Sequence, residues 1–275
     1  MSTLASGPVL NVMIADDSST IRLFIINALR RSHQALKLTE AGDGETCLKM
    51  LSSGSYDIAF IDLNMPRMSG LEALNQSREL GVRTFITLMS SKREPEQVEM
   101  ARKLGAYEYF VKPFRAEDVL SILSNYHQLT RHRAVLLVDD SRAVRAVVHR
   151  VLEHSLFSLD IEEATDGAEA LKLHAQKSHE VVFLDWNMPG ISGAETLAGL
   201  RKRNPGVKVV LITTPQSRDQ IEALSPQSYQ AVLYKPFYTI DVDQVLHEMF
   251  GLELPELRFA RAPQDKGDDK EVLYV

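Results

Sequence analysis

The chain has 275 residues, 44% hydrophobic and 25% charged, with a formal net charge of −6 at pH 7. Residues 1–128, 129–252 and 253–275 carry −1, −3 and −2, so no stretch is basic enough to hold nucleic acid by charge, and one cysteine excludes a disulfide framework or cysteine metal site. No apolar run reaches membrane-spanning length and Met1 to Pro8 lacks a charged-then-apolar leader, so no membrane insertion is expected and the cytoplasm is the expected compartment.

Short apolar runs alternate with amphipathic stretches along the chain. Val9–Ala15 predicts a buried strand, and Ser18 or Ser19 caps a helical pattern at Ile21, Phe24, Ile25, Ala28 and Leu29. Further strands follow at Leu36–Ala41, Ile58–Ile61, Phe85–Met89 and Tyr107–Val111, with helices near 44–53, 70–80, 94–104 and 115–127. Cys47 falls in the Glu45–Leu51 helical pattern, where a buried apolar role is expected. Five strands alternating with five helices predict an α/β domain whose parallel sheet is covered on both faces.

From residue 134 the order repeats, with strands near 134–138, 158–164, 180–184, 207–212 and 230–233. The copies are offset by a constant 123 positions: Asp16-Asp17 returns as Asp139-Asp140, Asp62 as Asp185, Pro66 as Pro189, Gly70 as Gly193, Ser90 as Thr213, and Lys112-Pro113-Phe114 as Lys235-Pro236-Phe237. The expected layout is a domain over 8–128, a linker over 129–133, a domain over 134–252 and a mobile Pro-, Asp- and Lys-rich tail over 253–275. So short a joint sets the domains against each other or at a limited hinge.

In a parallel sheet the strand ends gather functional groups on one rim. Asp16-Asp17, Asp62, Ser90 and Lys112 each end a strand. Crowded carboxylates without His or Cys suit Mg2+, which prefers hard oxygen ligands. An ammonium and a hydroxyl facing that cation form a binding kit for a phosphoryl group, and a central aspartate can accept it as nucleophile. Two adjacent aspartates after a strand are commonly only a cap, and Lys-Pro alone means little. Five such pieces in order, twice, outweigh that bland account.

The runs Ile14-Ala15-Asp16-Asp17-Ser18, Asp62-Leu63-Asn64-Met65-Pro66, Ser90-Ser91 and Lys112-Pro113-Phe114 resemble the receiver domains of bacterial two-component response regulators. So do Val138-Asp139-Asp140-Ser141, Asp185-Trp186-Asn187-Met188-Pro189, Thr213-Thr214 and Lys235-Pro236-Phe237. The resemblance, over about 8–252, implies two tandem flavodoxin-like (βα)5 domains of the chemotaxis-regulator kind, with strand order 2-1-3-4-5. It implies Asp62 and Asp185 as phosphoacceptors from a histidine kinase or histidine phosphotransfer protein. It implies Mg2+ held by Asp17 and Asp140, by Asp16 and Asp139 through water, by Asp62 and Asp185, and by the carbonyls of Asn64 and Asn187. Ser90, Thr213, Lys112 and Lys235 would bind the phosphoryl oxygens, and the peptides before Pro113 and Pro236 would be cis.

The copies differ where the resemblance implies a switch aromatic that turns inward. Copy one has Tyr109 there; copy two has Val232. Pro226 is expected to end the fourth helix of copy two early. The resemblance further implies that Thr214 narrows access and that Lys92 against Pro215 gives unequal phosphoryl lifetimes. Arg142, Arg145, His149 and Arg150 make a basic face on the first helix of copy two, either a donor-docking face or an ordinary solvated one.

The leading expectation is a phosphorelay signalling protein acting through contact with an unidentified downstream protein, with copy one carrying the usual switch. Alternatives are a regulatory subunit of a separately encoded enzyme, or a phosphate sink in which one receiver is a structural adaptor. Pairing of receivers within or between chains is also expected. The short tail argues against an output enzyme in the chain itself. A phosphatase needs a second acid two positions after the first, where Asn64 and Asn187 stand.

Overall fold

The computed structural model describes residues 8–225 and 227–259, which divide into two units. In the first, strands β1 (Leu10–Ala15), β2 (Leu36–Ala41), β3 (Ile58–Asp62), β4 (Phe85–Ser90) and β5 (Glu108–Val111) alternate with helices α1 (Ser19–Leu29), α2 (Gly44–Ser53), α3 (Gly70–Glu79), α4 (Pro95–Lys103) and α5 (Ala116–Thr130). All pairings are parallel in the order β2-β1-β3-β4-β5. Every residue of β3 is buried, as expected of a strand with helices on both faces.

The second unit repeats this with β6 (Arg133–Val138), α6 (Arg142–Glu153), β7 (Leu159–Ala164), α7 (Gly167–Gln176), β8 (Val181–Asp185), α8 (Gly193–Arg203), β9 (Lys208–Thr213), a 3-10 turn (Pro215–Ser217), α9 (Arg218–Glu222), β10 (Ala231–Tyr234) and α10 (Thr239–Met249). Its parallel order is β7-β6-β8-β9-β10. No helix among the described residues is long and apolar enough to cross a membrane.

The local chemistry explains where the elements begin. Ser18 and Ser141 accept the N–H groups of Ile21 and Val144, capping α1 and α6. Ser69 with Glu72, and Ser192 with Glu195, form capping boxes on α3 and α8. Cys47 is buried, and burial pushes its thiol up to about 12, too high to react at neutral pH. Phe24 departs from the expected core pattern: it is 38% exposed and packs edge-on against Phe114, while Ile26 faces inward.

One other expectation, that of a mobile tail, changes. The expected linker 129–133 is largely taken up by its neighbours, since α5 runs through Thr130 and β6 opens at Arg133. The tail is ordered through 259: Glu256–Phe259 form a turn of helix, α11, that belongs to the first unit and buries Leu257. Its remainder, 260–275, lies outside the described residues, as does Pro226. Helix α9 ends at Glu222, against Lys103 for its counterpart α4, so the fourth helix of copy two is short as expected.

Candidate functional site

Strand register builds the rim. In the first unit Asp62 pairs with Met89 at the ends of β3 and β4, and the Lys112 N–H donates to the Ser90 carbonyl at 2.8 Å. The Lys235 N–H donates to the Thr213 carbonyl at the same distance in the second. Helices α3 and α8 begin against the ends of β3 and β8: a Cβ on Gly70 would stand 2.2 Å from the Asp62 carbonyl, and one on Gly193 would stand 2.8 Å from Trp186. Only glycine allows that approach. After Pro66 and Pro189 the chain turns through positive φ at Arg67 and Gly190. Arg67 carries a side chain through the turn and pairs with Asp43, the cap of α2.

The predicted polar groups converge. Asp16, Asp17 and Asp62 present oxygens all within 4.8 Å of one another, and so do Asp139, Asp140 and Asp185. Lys112 Nζ reaches Asp16 Oδ2 at 2.7 Å and Asp62 Oδ1 at 2.6 Å; Lys235 Nζ reaches Asp139 Oδ2 at 3.1 Å and Asp185 Oδ1 at 3.2 Å. The Asn64 N–H donates to Asp62 Oδ2 at 3.0 Å. In each cluster two acids are buried and the middle one, Asp17 or Asp140, faces solvent. The peptides before Pro113 and Pro236 are cis.

One lysine against three carboxylates leaves two negative charges uncompensated, so the donor set fits a hard divalent cation. Burial pushes the Asp62 carboxyl up, against the pull of Lys112. Burial likewise raises Asp185, opposed by Lys235 and aided by Asp139, to about 6. Burial works against the Lys112 charge, yet its bonds to Asp16 and Asp62 win and hold it above its ordinary value.

Beyond this shared core the sites diverge. In the first, Lys92 N–H donates to Ser90 Oγ at 3.3 Å, and the Tyr109 hydroxyl donates to the Lys92 carbonyl at 2.9 Å. Tyr109 is 3% exposed, turned into the domain. In the second, Asn187 Nδ2 donates to Thr213 Oγ1 at 3.3 Å, and Ser217 Oγ donates to Asn187 Oδ1 at 3.2 Å. Trp186 Nε1 donates to Gln220 Oε1 at 2.9 Å.

Sequence reasoning missed Ser217 and Gln220, which lie on the reshaped turn and helix after β9. It also missed Arg22 and read Arg145 only as part of a basic face; their Nη1 atoms donate at 2.7 Å to the carbonyls of Asp16 and Asp139 while their Nε atoms pair with Glu40 and Glu163. Arg22 to Arg145 and Glu40 to Glu163 both obey the 123-residue offset, so the signal was present. The basic face expected on α6 is thereby reduced: Arg145 is buried, His149 pairs with Glu163, and Arg142 and Arg150 remain exposed.

The family model of the response regulator receiver domain matches residues 12–124 and again 135–247. Chemotaxis protein CheY of Pseudomonas aeruginosa is 36% identical over 110 residues, 39% of this chain and 88% of that protein. Regulatory protein AtoC of Escherichia coli K12 is 30% identical over 118 residues, 43% of this chain, and the chain spans only 25% of its length. A solved structure described as a probable two-component system response regulator/GGDEF domain protein covers 88% of this chain and 99% of its own, at TM-score 0.60 and 24% identity, a likeness of fold.

Proposed function

Because the chain belongs to the response regulator receiver family, with two such domains in tandem, and receivers serve two-component phosphorelay signalling, we propose that both copies are phosphoacceptors and that the output is a protein contact. Asp62 and Asp185 take the phosphoryl group from a phosphohistidine of a kinase or phosphotransfer protein. A carboxylate oxygen bonds to phosphorus as the P–N bond breaks, and the electron pair leaves with the imidazole. The observation that carries this reading is the duplicated bridge of Lys112 and Lys235 between a rim aspartate and the acceptor aspartate. Each lysine holds its acceptor and places positive charge where phosphoryl oxygens arrive.

Asp16, Asp17 and Asp62, and Asp139, Asp140 and Asp185, would hold Mg2+ together with the Asn64 and Asn187 carbonyls. The cation supplies the charge compensation that one lysine leaves incomplete. Ser90 and Thr213 donate hydroxyls to the phosphoryl oxygens. Tyr109 serves as the switch of the first domain, while the second, with Val232 in that place, works through the turn of Ser217 and α9. The phosphoaspartate's added charge shifts a two-state equilibrium and thereby the affinity for a downstream protein.

Intact mass after incubation with Mg2+ and acetyl phosphate tests this reading. We expect two phosphoryl groups on the wild type and one on each of Asp62→Asn and Asp185→Asn. A single group, lost in only one variant, would make the other copy a structural adaptor. Trp186, the sole tryptophan, stands beside Asp185 and is 8% exposed, so its emission follows the second site alone. Without metal the emission is expected to titrate near pH 6, and Mg2+ is expected to move that midpoint down. Asp185→Asn should abolish both effects and Asp62→Asn neither; an Mg2+ response that survives Asp185→Asn would place the cation elsewhere.

A further inference from the structure

Residues 254–259 follow the second domain in sequence but pack into the first, where α11 lies against α4 and β5. Three unlike contacts seat them. Leu257, 1% exposed, joins the apolar cluster of Ala101, Ala106 and Tyr109. The Glu108 carboxylate accepts the Glu256 N–H at 3.1 Å, one of the free N–H groups at the start of the turn. Arg93 pairs with the Glu256 side chain. Pro255, also buried, supplies the helix-compatible φ at the start of the turn.

These contacts belong to the first domain alone. The 123-residue offset puts Gln216 where Arg93 stands, Ala231 where Glu108 stands and Val232 where Tyr109 stands, so the second domain has neither charged group of the seat nor its tyrosine. The seat is also small. A single turn of helix does not hold its own shape in water, so its shape depends on buried Leu257 and Pro255, the Glu108 bond and one partly exposed ion pair.

We propose that the α4–β5 face of the first domain is a docking surface for a short helix opening with Pro-Glu-Leu, and that residues 254–259 are its built-in, displaceable occupant. A tethered segment competes like a free peptide at roughly millimolar concentration. An outside helix must therefore match the same chemistry and exceed that, or meet a chain in which the segment has been drawn away.

The test is fluorescence anisotropy of a labelled peptide of residues 251–261 on the full chain, without Mg2+ or phosphodonor, so it stands whether or not either aspartate is phosphorylated. The wild type should bind the peptide at least tenfold more weakly than Leu257→Asp, whose own segment is expelled. Glu256→Arg in the chain, which buries no new charge, should open the face in the same direction. Adding Arg93→Glu to Leu257→Asp should cost the native peptide tenfold, and a peptide carrying Glu256→Arg should recover it. Equal binding by wild type and both opened variants, or a charge swap without recovery, overturns the proposal.

Discussion

Asp185→Asn is expected to remove the proposed acceptor of the second domain and, in the same step, to make the metal-free domain more stable. Burial, opposed by Lys235 and reinforced by Asp139, lifts this carboxyl from 3.8 to about 6. At 1.36 kcal/mol per pH unit, ionising it costs the folded domain about 3 kcal/mol. The folded value lies above the unfolded one, so this contribution is fully present below about pH 4 and is lost as pH rises to about 6. At neutral pH the wild type bears the whole cost. An amide does not ionise, so the variant escapes it. Urea unfolding followed by Trp186 should show the variant more stable at pH 7.5 by about 1–3 kcal/mol, with the gap closing toward pH 4. Mg2+ should stabilise the wild type and not the variant. Equal stability at both pH values would show that Asp185 is not held against its charge.

Arg133→Ala should cost the second domain about 4 kcal/mol, summing an aromatic contact and stranded carbonyls. The Arg133 side chain is fully buried, with its guanidinium 4.1 Å from the Phe250 ring centre and 5.4 Å from that of Phe157. It donates to the Gln128 carbonyl, to the Arg131 carbonyl at 3.1 Å and to Gln128 Oε1 at 2.8 Å, with Glu180 3.8 Å away. Alanine would leave those acceptors without their donor and a gap between two rings. Arg133→Lys keeps the charge but not the planar fork, so it should recover less than half the loss. Thermal unfolding monitored at Trp186 decides this; a loss below about 1 kcal/mol would show the cation to be a passenger in an apolar pocket.

The rim was legible because a parallel sheet delivers residues distant in sequence to one edge, and the fixed offset showed which residues those were. Asp62 and Lys112, 50 positions apart, could be placed together from strand ends alone. The reshaped turn after β9 was legible only as Pro215 and Pro226; that Ser217 would bond Asn187 depends on a three-residue turn no periodicity reveals. Arg133 read as linker because a charged residue beside a helix end is ordinarily solvated, and only the distant Phe157 and Phe250 make its burial tolerable. The docking of 254–259 left no pattern, since Leu254, Leu257 and Phe259 span too few residues for a period to be read.

The line from Ser90 through Lys92 to Tyr109 is three residues long, and it runs between the acidic rim and the cluster that holds Leu257. Linkage makes any such coupling run in both directions by the same factor. A helix that grips the α4–β5 face differently before and after phosphorylation must alter, by that same factor, the equilibrium for placing the phosphoryl group on Asp62. The receiving protein would then be an input as well as an output: its abundance would set how readily the first domain is charged, with no signal reaching the kinase at all.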